Sequence, residues 1–572
     1  MNILAINPGH NGSAALLVDG ELKFYIEEER LSRYKYDGNP FAGMMEALKY
    51  GVDVLILGGT SEHFPVMPWT GQDPYSCFLK KLNPDLEVAN LGNVHHVGHA
   101  ANAFYNSGFE QAAAVIVDGS GSERAIDINE TITNRGFETE TIFNCDYEEG
   151  IKPVFVSYGG NYQTHCVRGD DLEMDNAITI VKAYEAVSEY LGFGFIEAGK
   201  TMGLAPYGKK NKKIPQLFIE GRGNKNVFVP DYPAGAHVDF IRNTYLTKKT
   251  GEDSRAWHSD STKITDAAKD LAWAVQTETQ ELVGDFIQKA VDKTGHSNIV
   301  ISGGYGLNCV ANYYYKERFP DLNIFVDPIS HDGGTAIGLA KLIHYSKNKE
   351  DKTVRPLTTL YLGPERKEDY DFSDIETKDV KAADVAKLIA DKNIVALFQG
   401  RSEAGPRALG NRSILYDPTD PNGKDFVNTV KGREWFRPFA GSMLQENFEE
   451  WFETRGLKES PYMMYAMDFK TDKHGEVPAI THVDGTCRIQ TVTKEQNSNY
   501  YALIKEFDKI TGVPILFNTS FNLAGQPLVE TLQDAMETVK NSDINYLYLP
   551  DIGKLVHYPY NDSIVEDMDE AA

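Results

Sequence analysis

Short apolar runs separated by turn residues open the chain. They lie at Asn2–Ile6, Ser13–Val18 and Glu21–Glu27, with Gly, His, Asn and Asp between them. Runs of this length predict a meander of three β-strands. A further apolar run, Ala112–Val117, leads into the small-residue segment Asp118–Ser122. Two strand-to-glycine-loop units of this kind predict a duplicated fold that grips phosphate between its halves.

Apolar residues recur at helical spacing over Thr265–Lys293, and Gly295 follows. This pattern predicts one long amphipathic helix that ends at the glycine. The next apolar run, Asn298–Ser302, enters a Gly-Gly pair and predicts a buried strand, with a helix starting near Leu307. The stretch 209–257 is polar, rich in Lys and Gly and weakly periodic, so we interpret it as an insertion.

The second half of the chain alternates helical stretches with apolar strands. Helices are predicted at Val380–Asp391 and Ser498–Thr511, and strands at Ile394–Phe398 and Pro514–Phe517. A charged segment that ends near a proline precedes this half and has the composition of a linker. The predicted organisation is a domain over 1–345, a linker over 346–360, a second α/β domain over 361–560 and an acidic tail over 561–572.

Composition adds to this picture of two domains. The 572 residues exceed the roughly 250–300 at which a single core stops growing. The given sequence does not start with a basic segment followed by an apolar stretch. No later run approaches the roughly 18 apolar residues that a membrane helix needs, so we expect a cytoplasmic protein. Five scattered cysteines without a CxxC pair argue against a disulfide framework and a thiolate zinc site.

The formal net charge of −26 opposes association with anionic membranes and non-specific binding of nucleic acid. A local basic cleft is still compatible with that charge. The second half holds such a cationic set: Arg401, Arg407, Arg412, Lys431, Arg433, Arg437 and Arg488. In Gly-rich and apolar surroundings these cations predict a site for a small anion, while Asn518–Asn522 can hold a neutral carbonyl-NH2 end. Ion pairs with the many carboxylates are the alternative.

Two histidines four residues apart, His95 and His99, would lie on one face of a helix and could bind a single metal. No glutamate lies between them as in HExxH, which argues against a zincin protease. Asp332, in a turn before a small-residue helix, is the candidate third ligand. Two imidazoles and one carboxylate suit Fe(II) or another divalent transition metal. A chance surface pair of histidines is the alternative.

Three loops carry further candidates. The imidazole of His10 is a candidate proton acceptor for an attacking hydroxyl, or else His10 is a structural histidine. Actin-like kinases usually have Asp at the end of the strand before this loop, where this chain has Asn7, so a plain sugar-kinase mechanism is disfavoured. The Gly303-Gly304 loop predicts contact with a ribose or adenine, with Asn308 bonding base or sugar edges. The segment around Lys200 lacks the preceding glycine at the spacing of a P-loop, but Lys200 could still contact a phosphate or a carboxylate.

In their order along the chain, these motifs resemble the NodU/CmcH/TobZ family of carbamoyltransferases. The motifs are HHxxHA, DGSG, GKTMGLAPYG, SGGxxLN, DxGxAxG, GRSExGPRALGNRS, REWFRPFA, RxQTV and NTSFN. The resemblance spans nearly the whole chain. It implies an actin-like (ASKHA) duplicated nucleotide-binding domain, similar to tRNA threonylcarbamoyl transferase, followed by a YrdC-like α/β domain.

The resemblance also implies two reaction steps in two sites. The C-terminal, YrdC-like domain would use carbamoyl phosphate and ATP to make carbamoyl-adenylate, and the N-terminal domain would pass the carbamoyl group to an acceptor hydroxyl. The implied metal is iron on His95, His99 and Asp332, with Mg²⁺ as a further candidate beside ATP, and His10 is the implied catalytic residue. The implied ATP or adenylate contacts are Lys35, Asp118, Gly119, Ser120, Gly121, Ser122, Lys200, Gly303, Gly304 and Asn308. The implied carbamoyl-phosphate contacts are Arg407, Lys431, Arg437, Arg488 and Asn518.

Several alternatives remain open at this point. The acceptor could be a small molecule, a sugar, a nucleoside or a modified nucleobase. An actin-like sugar or acid kinase with an appended domain would leave the C-terminal arginines unexplained. A non-enzymatic, nucleotide-gated scaffold would leave the His/His/Asp set unexplained. The sequence does not decide the oligomeric state, for which a dimer is one option.

Overall fold

The structure is a computed structural model that describes residues 1–59, 73–129, 132–161, 163–231, 235–238, 261–366, 372 and 375–558. The predicted acidic tail and part of the 209–257 stretch lie outside these ranges. The chain forms two compact units of mixed α/β structure, as the fold class predicted. Unit 1 comprises Met1–Glu28 and Tyr36–Thr358, and unit 2 comprises Glu29–Lys35 and Thr359–Ala572.

Unit 1 contains two mixed sheets built on the same plan. The first has the strand order β3-β2-β1-β4-β5, with β1 at Asn2–Asn7, β2 at Ser13–Val18, β3 at Glu21–Glu27, β4 at Val54–Leu57 and β5 at Glu87–Asn90. The second has the order β10-β11-β9-β8-β6-β16-β17, with β7 beside β8. Its strands are β6 (Gln111–Val117), β7 (Glu123–Asn129), β8 (Ile132–Asp146), β9 (Gly150–Gly159), β10 (Val167–Arg168), β11 (Leu172–Asp175), β16 (Asn298–Ser302) and β17 (Asn323–Val326).

The two sheets share one topology. In each, an antiparallel meander of three strands is followed by two strands parallel to its first strand: β1, β2, β3, β4, β5 in one sheet and β6, β8, β9, β16, β17 in the other. The N-terminal meander and the duplicated fold predicted from the apolar runs are therefore confirmed. Two small hairpins pair β12 (Phe218–Ile219) with β13 (Arg222–Gly223) and β14 (Phe228–Asp231) with β15 (Gly235–Val238).

Helices connect and cover these strands. Those of unit 1 are α2 (Phe41–Ala47), α3 (Pro74–Leu82), α4 (His95–Ser107), α5 (Ile180–Tyr190), α6 (Ala198–Leu204), α7 (Asp266–Thr294), α8 (Cys309–Arg318) and α9 (Thr335–Lys347), whereas α1 (Glu28–Ser32) lies mainly in unit 2. The predicted long helix is confirmed as α7. The Thr265 hydroxyl caps its N-terminus by accepting from the Ala268 amide at 3.3 Å, and Gly295 ends it in the left-handed conformation at φ 73°. No helix in the described ranges combines the length and the apolar composition needed to cross a bilayer.

Unit 2 is built on one mixed sheet with the order β18-β26-β25-β19-β20-β24-β21-β23-β22. Its strands are β18 (Thr377–Asp379), β19 (Val395–Phe398), β20 (Arg412–Tyr416), β21 (Ala440–Leu444), β22 (Ala466–Asp468), β23 (Thr486–Val492), β24 (Ile515–Ser520), β25 (Tyr546–Leu549) and β26 (Lys554–His557). Its helices are α10 (Ala382–Ala390), α11 (Gly423–Lys431), α12 (Phe448–Trp451), α13 (Ser498–Thr511) and α14 (Leu532–Lys540). The helices and strands predicted for the second half are thus present.

The segment 29–35 lies in unit 2 although its neighbours on both sides belong to unit 1. Arg30 is buried there and donates to the carbonyl oxygens of Glu403 and Gly405. A buried guanidinium needs several acceptors, and these carbonyls supply them. The sequence interpretation had assigned this segment, including Lys35, to the domain over 1–345.

The segment predicted as a linker is partly attached to unit 1. Helix α9 extends to Lys347, and the buried Lys341 on this helix donates to the Arg355 carbonyl at 3.0 Å. The Leu357 amide donates to the Asn106 carbonyl at 3.0 Å. Burial lowers the pKa of Lys341 to about 7, although Glu21 opposes that shift. Residues 351–357 therefore follow the surface of unit 1 instead of spanning open solvent.

Helices α4 and α9 occupy equivalent places in the two halves of unit 1, since each follows the last strand of its sheet. They pack so closely that a Cβ at position 338 would overlap the carbonyl oxygen of Gly98. At position 98 a Cβ would approach Thr335 to 3.2 Å. Two glycines therefore set the separation of the two helices, and the helix N-termini carry His95 and, just before α9, Asp332.

We predict that Gly338→Ala destabilises unit 1 by about 1–3 kcal/mol, because the added methyl group forces α9 away from α4. Chemical denaturation followed by circular dichroism would measure this loss. Gly199→Ala is the matched control, since Gly199 also lies in a helix but has open space where a Cβ would be. Equal unfolding midpoints for Gly338→Ala and the wild type would contradict the proposed close contact.

Candidate functional site

The structure brings His95, His99 and Asp332 together in unit 1. Both histidines are buried on one face of α4, and their Nε2 atoms lie 3.2 Å apart. The Asp332 Oδ1 atom lies 3.6 Å from His95 Nε2 and 3.7 Å from His99 Nε2. Helical spacing placed the two imidazoles side by side, whereas the packing of α9 on α4 supplied the carboxylate.

Asp118 completes this cluster as a second carboxylate. Its Oδ2 atom lies 3.6 Å from His95 Nε2, and single donor atoms of the four residues all lie within 4.8 Å of one another. Its Oδ1 atom accepts from the Gly304 amide at 2.9 Å, which fixes the carboxylate. The sequence interpretation had assigned Asp118 to phosphate binding. Its position directly after β6, the counterpart of Asn7 at the end of β1, is the signal that could have indicated a ligand.

The geometry of the four residues suits one divalent cation. Ligand atoms about 2.0–2.2 Å from a tetrahedral ion lie roughly 3.3–3.6 Å from one another. The distances of 3.2, 3.6 and 3.6 Å from His95 Nε2 to the other three residues, and of 3.7 Å from His99 to Asp332, are close to that range. The nitrogen-to-oxygen distances are also longer than those of ordinary hydrogen bonds, about 2.7–3.2 Å. A set of two imidazoles and two carboxylates fits Fe(II) or a similar transition metal.

Electrostatics favour a positive charge within the cluster. Burial disfavours charge on His95, but the carboxylates of Asp332 and Asp118 outweigh it and raise the pKa of His95 to about 10. Burial also opposes ionisation of Asp332, yet His95 and His10 hold the pKa of its carboxyl well below the usual range. Two ionised carboxylates in a buried place need a compensating cation, which a proton on His95 or a bound metal can provide.

The residues at the two ends of the N-terminal loop hold the turn that contains Asp332. The Asn7 amide donates to the Asp332 carbonyl at 3.1 Å, and the Ser13 hydroxyl donates to the Gly333 carbonyl at 2.8 Å. An aspartate at position 7 could not donate this bond when ionised, which explains an amide at this position. His10 is half-exposed, and its Nδ1 atom lies 3.8 Å from Asp332 Oδ2, so it adjoins the metal cluster.

The loop predicted to bind phosphate is largely engaged within the protein. The Gly121 amide donates to the Glu138 carbonyl at 2.7 Å, and the Ser122 amide donates to the Glu138 carboxylate at 3.1 Å. The Ser122 hydroxyl accepts from the His95 amide at 3.1 Å and so links the loop to the start of α4. These two amides therefore shape the loop around the cluster.

An ion pair on α5 adjoins this loop and was missed by the sequence interpretation. The buried Lys182 donates to Glu185 at 2.8 Å. A Cβ at position 119 would lie 2.6 Å from Glu185 Oε1, so a larger residue there would require this carboxylate to shift. Burial raises the pKa of Glu185 despite Lys182. The available signal was two opposite charges three residues apart among the apolar residues of the first two turns of this helix.

Three of the predicted adenylate contacts, Gly303, Gly304 and Asn308, follow the C-terminal end of β16, and Lys200 lies on α6. Gly303 has φ 90°, and a Cβ there would overlap the Val117 carbonyl, so only glycine lets β16 end against β6. The Asn308 amide group donates to Gln276 at 3.0 Å, and its oxygen accepts from the Ala311 amide at 3.1 Å. Asn308 thus caps α8 and is held by α7.

Two lysines that were predicted to contact the nucleotide have carboxylate partners. Lys200 pairs with Glu197 at 2.8 Å in unit 1. Lys35 pairs with Glu29 at 2.9 Å in unit 2, since both residues belong to the segment 29–35.

Unit 2 concentrates cations around Lys431, Arg433, Arg437 and Arg488. Burial lowers the pKa of Arg433 well below the usual range, and the neighbouring Arg437 and Arg488 lower it further. Burial likewise lowers the pKa of Lys431, together with Arg433 and Arg437. Positive charges held so close to one another favour an anion between them.

Unsatisfied polar atoms occur in the same part of unit 2. Among the described residues, the buried Nε atoms of Arg433 and Arg488 and the Oδ1 atom of Asn518 lack a hydrogen-bond partner. The Asn518 amide nitrogen donates to the Ala408 carbonyl at 3.1 Å and to the Ser442 hydroxyl at 2.8 Å. This orientation leaves Asn518 Oδ1 as an acceptor next to the loop that carries Arg407.

Not every arginine of the predicted set is available to an anion. Arg412 is buried and donates to the carbonyls of Gln399 and Glu530. Arg401 donates to the carbonyls of Leu362 and Gly363. Both residues therefore hold the backbone of unit 2. Lys431 also has protein partners, because its ammonium donates to the Asn522 carbonyl at 2.8 Å and to the Ser520 carbonyl.

Comparison with known proteins identifies the family. The family model described as carbamoyltransferase N-terminus matches residues 69–341, and the model described as carbamoyltransferase C-terminus matches residues 386–554. The nodulation protein NolNO of Sinorhizobium fredii is 31% identical, over 94% of this chain and 78% of that protein. The nodulation protein NolO of Bradyrhizobium diazoefficiens is 32% identical, over 79% of this chain and 77% of that protein.

A solved structure of T. kodakarensis HypF is also similar, at 12% identity over 61% of this chain and 48% of that chain. Its TM-score of 0.32 is too low to carry a structural argument. The two family models and the relatives at 31% and 32% identity decide the assignment. The chain therefore belongs to the carbamoyltransferase family and is a transferase.

Proposed function

We propose that this protein is an ATP-dependent O-carbamoyltransferase with two reaction steps. In the first, carbamoyl phosphate loses phosphate to water, and the resulting carbamate oxygen attacks the α-phosphorus of ATP to give carbamoyl-adenylate and pyrophosphate. In the second, an acceptor hydroxyl attacks the carbamoyl carbon, AMP leaves, and the hydroxyl proton passes to a base. Each step conserves the carbamoyl group.

The cationic set of unit 2 is the observation that carries this proposal. Within the part of the chain that the structure describes, the buried Nε donors of Arg433 and Arg488 have no partner, and Asn518 offers an acceptor oxygen in the same part of unit 2. A phosphate dianion can accept hydrogen bonds from the two guanidinium groups, and a carbamoyl NH2 group can donate to the Asn518 oxygen. Carbamoyl phosphate combines both features in one small molecule. Arg407, Lys431 and Arg437 complete the proposed site.

The metal cluster of unit 1 suits the transfer step. His95, His99, Asp118 and Asp332 would hold a divalent transition metal, such as Fe(II), which when bound supplies a Lewis acid for a phosphate or carbonyl oxygen. His10 adjoins Asp332 and is the proposed acceptor for the hydroxyl proton. The repeated sheet topology of unit 1 supports the actin-like assignment, and a YrdC-like character of unit 2 is part of the same proposal.

The metal proposal predicts one divalent metal ion per chain, measured by elemental analysis of protein purified without chelator. Asp118→Asn should weaken metal binding by about tenfold or more, because the amide carries no charge to balance the ion. Asp270→Asn is the control, since Asp270 is a buried carboxylate outside the cluster that accepts from the Lys209 backbone amide and the Asn211 side-chain amide, both at 2.9 Å. Full metal content in Asp118→Asn would remove Asp118 from the ligand set.

The two-site proposal predicts that single substitutions separate the two steps. Arg488→Ala should abolish formation of carbamoyl-adenylate and pyrophosphate from carbamoyl phosphate and ATP, because it removes a cation from the anion site. His10→Ala should retain that step and lose transfer to pooled hydroxyl acceptors, followed by mass spectrometry. The control is Arg455→Ala, whose guanidinium pairs with Asp468 at 2.9 Å. Identical losses in the Arg488 and His10 variants would refute the division.

Asn7 distinguishes carbamoyl transfer from the kinase alternative. We predict that Asn7→Asp loses the bond to the Asp332 carbonyl, at a cost of about 1–3 kcal/mol, and impairs transfer while adenylate formation persists. Asn2→Asp, on the same strand but bonded to the Tyr50 carbonyl, should leave transfer intact. If wild-type protein forms ADP and a phosphorylated sugar but no pyrophosphate, the kinase alternative is correct.

A further inference from the structure

A chain of hydrogen bonds leads from the metal cluster into the core of unit 1. The His99 Nδ1 atom lies 3.3 Å from the Ser302 hydroxyl, and that hydroxyl donates to Asp327 Oδ2 at 2.9 Å. Ser302 and Asp327 are completely buried. Ser302 is the last residue of β16, and Asp327 directly follows β17, so two adjacent parallel strands supply the chain at the same edge of their sheet.

The direction of these bonds is set at Asp327. Its Oδ1 atom accepts from the Ile329 amide at 3.0 Å, and its Oδ2 atom accepts from the Asn102 side-chain amide at 2.6 Å as well as from Ser302. The Ile329 and Asn102 amides can only donate, so both Asp327 oxygens act as acceptors, as those of an ionised carboxylate do. The Ser302 proton must point to Asp327, which leaves the Ser302 oxygen as an acceptor for a proton on His99 Nδ1.

This direction decides which nitrogen of His99 faces the metal ligands. With its proton on Nδ1, the neutral imidazole has a lone pair on Nε2, the atom that lies 3.2 Å from His95 Nε2 and 3.7 Å from Asp332. A metal binds such a lone pair directly. His95 has no comparable support, because its buried Nδ1 atom lacks a hydrogen-bond partner among the described residues.

We infer that Ser302 and Asp327 are positioning residues for the metal: together they hold His99 in the tautomer and orientation that presents Nε2 as a ligand. The inference rests on the metal site of the proposed function. Neither residue needs to touch a substrate or the metal. Their effect is transmitted through His99 alone, and Asn102 contributes by fixing the Asp327 carboxylate.

The first test uses the full-length protein without metal, so it does not depend on enzymatic activity. Nitrogen-15 NMR of the histidine rings, with the His99 signals assigned by their loss in His99→Gln, reports which ring nitrogen carries the proton. We expect protonated Nδ1 in wild-type protein and in Ser302→Thr, which keeps the hydroxyl. We expect a mixture of tautomers, or protonated Nε2, in Ser302→Ala.

The second test measures the dissociation constant for Fe(II), and for Co(II) as a spectroscopic probe, by competition with a chelator. Ser302→Ala and Asp327→Asn should weaken binding by about 10- to 100-fold, the usual effect of removing such an outer partner. Ser302→Thr should bind within about threefold of wild type. Ser188→Ala is the matched control, because Ser188 is another completely buried serine of unit 1, bonded to the Tyr184 carbonyl at 2.8 Å.

The outcomes separate this inference from the proposed function. Unchanged tautomer and affinity in Ser302→Ala, or equal weakening in Ser188→Ala, would overturn the inference while leaving the metal site standing. Wild-type protein that binds no metal would count against the metal site, and the NMR experiment would still decide whether Ser302 orients His99. A Ser302→Ala variant that does not fold is replaced by Asp327→Asn, which retains size and shape.

Discussion

The contact between Gly98 on α4 and Gly338 on α9 is the constraint on which unit 1 depends. Because neither position has a side chain, the two helices approach until backbone meets backbone. Each helix closes one half of a duplicated fold, so this contact also joins the halves. This close packing also brings the imidazoles at the start of α4 near the turn before α9. If the helices were farther apart by the width of a methyl group, the histidine nitrogens and the Asp332 carboxylate would be too far apart to share an ion.

Unit 1 holds a cluster of carboxylates and unit 2 holds a cluster of arginines. Each cluster lowers the stability of its unit, and a bound ion of opposite charge would offset that loss. Asp118 and Asp332 lie together in unit 1 with two imidazoles between them. Arg433, Arg437 and Arg488 lie together in unit 2, where their mutual repulsion adds to the cost of burial. Like charges held close in a partly buried place destabilise the fold on their own. Ligands of opposite charge stabilise such a fold by mass action, which links the stability of each unit to its ligand.

The residue types in the sequence did not show which charged side chains are free to bind a ligand and which hold other parts of the protein. Arg401 and Arg412 occur in the same motif as Arg407, yet both are used to hold carbonyl oxygens of unit 2. Asp118 was attributed to phosphate binding because it precedes glycines, although its carboxylate joins the histidines. Lys35 follows an N-terminal strand of unit 1 but lies in unit 2. In each case the partners are distant in the sequence, and no local pattern identifies them.

The sequence by itself determined the elements: the meander at the start, the long helix α7 with its Thr265 cap and Gly295 end, the helix that carries His95 and His99, and the motifs of the family. These features depend on periodicity and on bonds between neighbours, which a sequence displays directly. Only the tertiary structure decided that Asp118 and Asp332 meet those histidines, that Ser302 and Asp327 stand behind His99, and which arginines face one another. Such contacts arise from how close two helices and two sheets can pack, and that distance is set by side-chain volume at remote positions such as Gly98 and Gly338.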